Sequence, residues 1–276
     1  MREVLWRVWK SPSGRLGMIA ALIVILSGIA APLIASHMPN QIDVAARLTP
    51  PSANHWFGTD HLGRDLYSRS LYGTRIAVSV ALAVTATALV LGVLLGVTAA
   101  YAPPAIERTI LACFDIVSSF PSLILALALV AVLGPGLLNI ILLVTVVFIP
   151  QFGRVARAQT LTVKERPFLE AERALGASGP RIMLVHVLPN IIGPIVVLAS
   201  MNVPVVITLE AGLSFLGVGI RPPLASWGSM LFDGFTYLNQ SVWPVLVAGG
   251  MLTLATLGFT LFGEALRDAI DPKLRR

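Results

Sequence analysis

Between His55 and Asp65 the chain reads HWFGTDHLGRD, its densest group of polar side chains. His55, Asp60, His61 and Asp65 are all residue types that ligate metals, but their spacing matches no standard metal site. The plainer reading is a compact loop turning at Gly58 and Gly63, with Asp60, Arg64 and Asp65 satisfying one another and nearby backbone amides. That reading is adopted, and no metal ligand is assigned. Two further acids, Asp115 and Glu210, stand within or beside long apolar runs, where a carboxylate tends to be paired or functional. Asp115 lies near Arg108 and is expected to be structural, while Glu210 is a candidate for lining or gating a pore. No Ser/His arrangement, aspartate pair or HExxH stands on these runs. The sequence contains no Gly-Lys dipeptide and so no G-x-x-x-x-G-K-[ST] phosphate loop. No catalytic residue and no bound cofactor are therefore expected on this chain. Cys113, the single cysteine, cannot form an internal disulfide and is read as a packing residue.

The elements that position these residues are apolar and long. Charged residues make up 12% of the chain, against about a quarter in soluble domains, and mean hydropathy is +0.82. The charges gather between uncharged stretches of the length that crosses a bilayer, about 20 residues. The expected spans are Leu16–Ser36, Ile76–Tyr101, about Thr109–Val132, about Leu137–Phe152, Val187 to about Ile207 and on toward Phe215, and Val242–Phe262. The first follows four basic residues as a signal peptide would, but it is long for one, and an uncleaved anchor is expected. Gly92 and Gly96 in the second span allow close helix approach. Gly134-Pro135-Gly136 separates the third from the fourth with a tight turn.

Placing the N-terminus inside puts Arg2, Arg7, Lys10, Arg15, Arg108, Arg154, Arg157, Lys164, Arg166, Arg173, Arg181, Arg267, Lys273, Arg275 and Arg276 on the cytoplasmic side. These are fifteen of the twenty Lys and Arg residues, a bias that predicts both termini in the cytoplasm. The net charge of +6 is thereby read as topology and not as nucleic-acid binding, since no basic helix or aromatic stacking pattern accompanies it. The fold class expected is all-α, a polytopic membrane protein of six helices.

The cytoplasmic segment KERPFLEAERALGASGPRIMLVHVLPN, Lys164–Asn190, predicts a short amphipathic helix opening at Pro167. Phe168, Ala171 and Leu175 share one of its faces. Gly176 and Gly179 end it, and Pro180 starts a second helix feeding the fifth span. Such a knob suits either docking onto a partner or lying on lipid headgroups. Glu170-Ala171-Glu172, Gly176 six residues after Glu170, and Leu188-Pro189 beyond resemble the EAA motif of binding-protein-dependent ABC importer membrane subunits. The motif's third position is usually alanine and here is Glu172. ALGASGPRIMLVHVLPN is most similar to the dipeptide/oligopeptide/nickel branch of that family. FGTDHLGRDLYSRSLYGTR before the second span, LSFLGVGIRPPLASWG after the fifth, and the chain end from Gly263 to Leu274 resemble the same branch. Pro103-Pro104 and Leu111-Ala112 depart from the Gly-Gly and Met-Arg common among relatives.

The resemblance implies a type I ABC importer transmembrane domain. Residues 1–75 would be a cytoplasmic segment, first span and external loop; residues 76–276 would be the core domain with a coupling loop at 153–186. It further implies a second homologous permease subunit, two cytoplasmic ATPase subunits that carry the ATP and Mg, an extracytoplasmic substrate-binding protein, and a place in a prokaryotic inner membrane. Glu170, Ala171, Glu172, Gly176, Leu188 and Pro189 would engage the ATPase, and Asp60, Arg64 and Asp65 would form an external structural cap near the binding-protein face. A secondary transporter or channel is the alternative. It requires mid-membrane coupling-ion carboxylates and broken helices in matched halves, and no internal repeat is evident.

Overall fold

The computed structural model describes residues 2–270, so the basic tail at Lys273, Arg275 and Arg276, and Asp271 and Pro272, lie outside the described residues. The described chain is helical apart from its connecting loops, with one isolated bridge, Thr59 to Asp65, as its extended pairing. A short α1 (Arg2–Lys10) meets α2 (Pro12–Ile34), which is capped by the Ser11 hydroxyl accepting from the Gly14 amide at 3.0 Å. After a long loop come α3 (Leu66–Tyr101), α4 (Pro104–Ser118), α5 (Ser122–Leu133) and α6 (Leu137–Lys164). Then follow α7 (Pro167–Ala174), a helical turn α8 (Gly179–Arg181), a π-helical stretch (Ile182–Val187) and α9 (Leu188–Phe215). The chain closes with α10 (Trp227–Thr236) and α11 (Trp243–Ile270).

Among the described residues, five helical segments are long and apolar enough to cross a membrane, and α4 with α5 make a sixth if their bent pair is one span. Here the structure corrects the sequence expectation, because the third span is not one helix. It breaks by 92° between Ser118 and Ser122. Pro121 is the cause: it lacks an N–H and disfavours α geometry in the residue before it. The turn at Gly134-Pro135-Gly136 is as expected, with φ +81° at Gly134 and +151° at Gly136. The Asn139 amide closes it by donating to the Leu133 carbonyl at 2.8 Å.

Helix α3 starts ten residues before the apolar run does. Asp65 caps it, accepting from the Ser68 amide at 2.8 Å, and the polar turns from Leu66 to Arg75 are helical. At 36 residues it is about 54 Å long, well beyond the ~30 Å hydrocarbon layer. It packs along α6, where Gly92 and Gly96 meet Gly153 and its neighbours. A Cβ on Gly92 would stand 2.8 Å from the Ile149 carbonyl oxygen, so the backbones touch there and no larger residue fits. Helix α11 packs on α2 and α9, and α3 also contacts α2 and α9. One apolar cluster runs through α2, α3, α6, α9 and α11, including Val24, Val84, Phe152, Ile195 and Ala255.

Two ion pairs tie α4 to α6. The Arg157 guanidinium donates to Glu107 at 2.8 Å through Nε, and Arg154 reaches Asp115 at 2.7 Å. Asp115 is thus paired, but with Arg154 on the neighbouring helix and not with the sequence-near Arg108.

Candidate functional site

The loop between α2 and α3 is a hydrogen-bonded cap, and its turns at Gly58 and Gly63 both use left-handed glycines. Asp60 is buried and binds three donors within the loop: the Leu62 amide at 2.9 Å, the Arg64 amide at 3.0 Å and the Arg64 Nε at 2.6 Å. The Arg69 guanidinium adds a second cation 3.4 Å from the same carboxylate and donates to the Pro39 carbonyl. Arg64 then bridges out of the loop, donating to Asp233 of α10 at 3.1 Å. His61 stacks on Tyr237 with ring centroids 4.9 Å apart. Buried charges of this kind hold only when paired and hydrogen-bonded, which explains why so polar a string can be so enclosed. Asp65 belongs to a separate group with Ser36, His37, His55 and Ser68.

Beneath the cap, α10 opens with a capping box between Ser226 and Ser229. The Trp227 indole, fully buried, donates to the Ser70 carbonyl of α3 at 3.0 Å. Gly228 sits against the Ala211 carbonyl of α9, where a Cβ would collide. Glu210 lies in this same contact and is completely buried. One of its oxygens accepts from the Ser214 hydroxyl at 2.7 Å, and that hydroxyl's oxygen accepts from the Ile220 amide at 3.1 Å. Through Ser214 the Glu210 side chain thus braces the start of the α9–α10 connection at Ile220.

On the opposite end of the bundle, α6 continues about three turns past its apolar part to Lys164 before the chain turns into α7. Pro167 occupies the first turn of α7, as its missing N–H allows. A Schellman closure ends the helix: the Gly176 amide donates to the Arg173 carbonyl at 2.9 Å and the Ala177 amide to the Glu172 carbonyl at 3.0 Å. Gly176 sits at φ +82° with open space where a Cβ would project. The glycine is needed for its backbone angle and not for room.

Leu169 is the anchor of α7. It is fully buried in the apolar cluster that also contains Val163, Ile182 and Val187. Glu172 faces His186 of the π-helical stretch at 3.6 Å, and the Phe168 ring meets the same imidazole edge-on. By contrast Glu170, Ala171 and Gly176 are exposed, and Leu175 is 83% exposed. Ala171 and Leu175, which an isolated amphipathic helix would bury, thus point away from the rest of the chain, while Phe168 on the same face is 39% exposed and touches His186. Leu188 and Pro189 lie where the π-helical stretch passes into α9. A π segment accommodates one such irregularity without ending the helix.

The structure brings Glu170, Ala171, Glu172 and Gly176 together on one knob, with Leu188 and Pro189 at its root, and gathers Asp60 and Arg64 in the cap. Sequence reasoning missed Asp233, Arg69 and Tyr237 as cap partners. Asp233 is a lone acid in an apolar string, and nothing in local spacing pairs it with Arg64. It also missed His37, which follows an apolar span and stands 18 positions from His55.

Comparison with known proteins points the same way. A family model described as binding-protein-dependent transport system inner membrane component matches residues 70–276. Another, described as the N-terminal TM domain of oligopeptide transport permease C, matches residues 1–51. A dipeptide transport system permease protein of Alkalihalophilus pseudofirmus is 39% identical, over 99% of this chain and 90% of its own. An oligopeptide transport system permease protein of Bacillus subtilis is 34% identical, over 100% of this chain and 90% of its own. Among solved structures, an inward-facing form of the MetNI methionine ABC transporter aligns with TM-score 0.60 at 19% identity, covering 75% of this chain and 96% of that one. At that identity the likeness concerns the fold.

Proposed function

The chain belongs to the binding-protein-dependent transport system inner membrane components, and from that premise we propose that it forms one half of the pore of an ATP-driven peptide importer. It is a membrane permease subunit of an ABC transporter, with relatives named for dipeptide and oligopeptide transport. A second, homologous permease chain supplies the other half. Two cytoplasmic ATPase subunits carry the ATP and Mg, an extracytoplasmic binding protein delivers the peptide, and the assembly sits in a prokaryotic inner membrane with both chain termini in the cytoplasm.

The observation that carries this reading is the outward apolar face of α7. A helix of eight residues is too short to hold itself together in water, so an exposed Phe168–Leu175 stripe calls for a partner surface. Its acidic flank at Glu170 and Glu172 suits a groove with basic residues on its rim. Leu169 connects the helix rigidly to the core below. Closure of the ATPase pair would therefore displace α7, the π-helical stretch and α9 together, converting a push on the knob into reorientation of a span.

Leu175→Glu tests it. The side chain is exposed in this chain, so insertion and folding should be unaffected. In the reconstituted complex, stimulation of ATP hydrolysis by peptide-loaded binding protein should fall at least about tenfold, the loss expected for a charge placed in an apolar protein contact. Undiminished stimulation together with weakened association of α7 with lipid would assign the knob to the headgroup layer instead.

A further inference from the structure

We propose that His37, His55 and Asp65 form a binding site for one divalent transition-metal ion, Zn²⁺ being the best match, at the cap end of the chain. The three ligand atoms lie within 4.8 Å of one another. His55 Nδ1 stands 3.0 Å from Asp65 Oδ1, and His37 Nδ1 stands 3.9 Å from the same oxygen. Ligands held about 2.0–2.1 Å from a tetrahedral ion are separated by roughly 3.3 Å, so these two spacings bracket the required value. The two imidazoles are stacked, with centroids 4.7 Å apart, and present the same kind of nitrogen to one carboxylate oxygen.

The frame around the three is already built. Asp65 is buried, and its Oδ2 is taken up by the Ser68 amide at 2.8 Å, the Ser68 hydroxyl at 2.7 Å and the Ser36 hydroxyl at 3.3 Å. Oδ1 is thereby turned toward the histidines, the kind of outer support that orients metal-ligating carboxylates. The Ser68 hydroxyl oxygen also accepts from the His37 amide at 3.0 Å, which fixes the other edge. A cavity of about 490 Å³ opens beside the group, lined also by Gln41, Asp43 and Asn54. It has room for the water or substrate that completes an open zinc sphere, and its lining adds oxygen donors.

Charge selects this cluster over its neighbour. Among the described residues, Asp65 pairs with the two histidines and with no Lys or Arg. A second group, Asp60, His61 and Asp233, also comes within ligand range. Its carboxylates, however, are occupied by Arg64 and Arg69, whose guanidinium charges oppose a cation. Two neutral imidazoles and one carboxylate favour zinc over calcium or magnesium, which take all-oxygen shells. The ion would join the end of α2, the cap loop and the first turn of α3 through one centre. The assignment rests on side-chain geometry and does not depend on which solute is transported.

The test uses the full-length, tag-free chain in nanodiscs with the subunits that accompany it, stripped with chelator and titrated with ZnCl₂ by calorimetry. One equivalent per chain should bind with micromolar or tighter affinity, more weakly in acid because a protonated imidazole cannot ligate. His37→Gln and His55→Gln should each weaken binding by about tenfold or more, while His61→Gln should leave it unchanged. Zinc K-edge absorption on the unaltered protein should show a nitrogen and oxygen shell with imidazole scattering, which decides the matter even where a variant fails to fold. No saturable binding, an imidazole-free shell, or equal binding by the His37→Gln/His55→Gln double variant would overturn the site.

Discussion

Single residues here carry either a backbone angle or a charge, and the two respond differently to substitution. Gly176 has open space around it, so its replacement acts through φ +82°. A residue with a Cβ in that left-handed region is destabilised by about 1–2 kcal/mol, and asparagine suffers least. In transport assays on the reconstituted complex, Gly176→Asn should retain most coupling, Gly176→Ala should lose more, and Gly176→Trp should uncouple or disassemble the complex while still inserting. A tryptophan variant with normal coupled transport would remove the docking role from α7. The Asp60–Arg64–Asp233 chain differs in kind: deleting the buried Asp60 would leave the buried Arg69 guanidinium without the carboxylate 3.4 Å from it. The sequence showed Asp60 and Arg64 because they are four residues apart. It could not show Asp233, which is 169 residues from Arg64.

At the scale of elements, two contacts decide whether the bundle moves as linked parts. Leu169 is the side chain of α7 sunk into the core, and truncating a buried leucine costs about 2–5 kcal/mol. Leu169→Ala should leave the outward face of α7 intact yet loosen it from α9. Basal ATP hydrolysis in the complex should then persist while its dependence on loaded binding protein fades, a ratio read directly from stimulated and unstimulated rates. The α3–α6 contact at Gly92 is rigid in the opposite sense. Gly92→Leu would force those backbones apart, overpacking that costs about 1–3 kcal/mol or more, and should lower the thermal unfolding midpoint in detergent. That contact was legible from the Gly92–Gly96 spacing, since small residues one turn apart are a local signal. The 92° break at Pro121 was overlooked because hydropathy registers apolar length and not direction.

For the molecule as a whole, the proposed function requires that transport need the assembled complex. The purified chain should neither bind nor hydrolyse ATP, and hydrolysis measured after assembly with its ATPase and permease partners should rise with peptide-loaded binding protein. Solute uptake by the isolated chain in liposomes would refute the reading of it as a subunit. The sequence by itself determined that the chain is a helical membrane protein, roughly where its spans lie, and where the Glu170–Pro189 knob falls. Apolar length, glycine spacing and prolines at helix starts are local properties, and local physics reads them from adjacent residues. Only the tertiary structure decided which side chains meet. It turned Leu175 of α7 outward, packed α9 beside Glu210 against Gly228 of α10, paired Asp115 with Arg154, and carried His37 to His55 and Asp65. The contacts between distant residues among these join segments that are neighbours because the helices between them pack, and packing is a property of the whole chain.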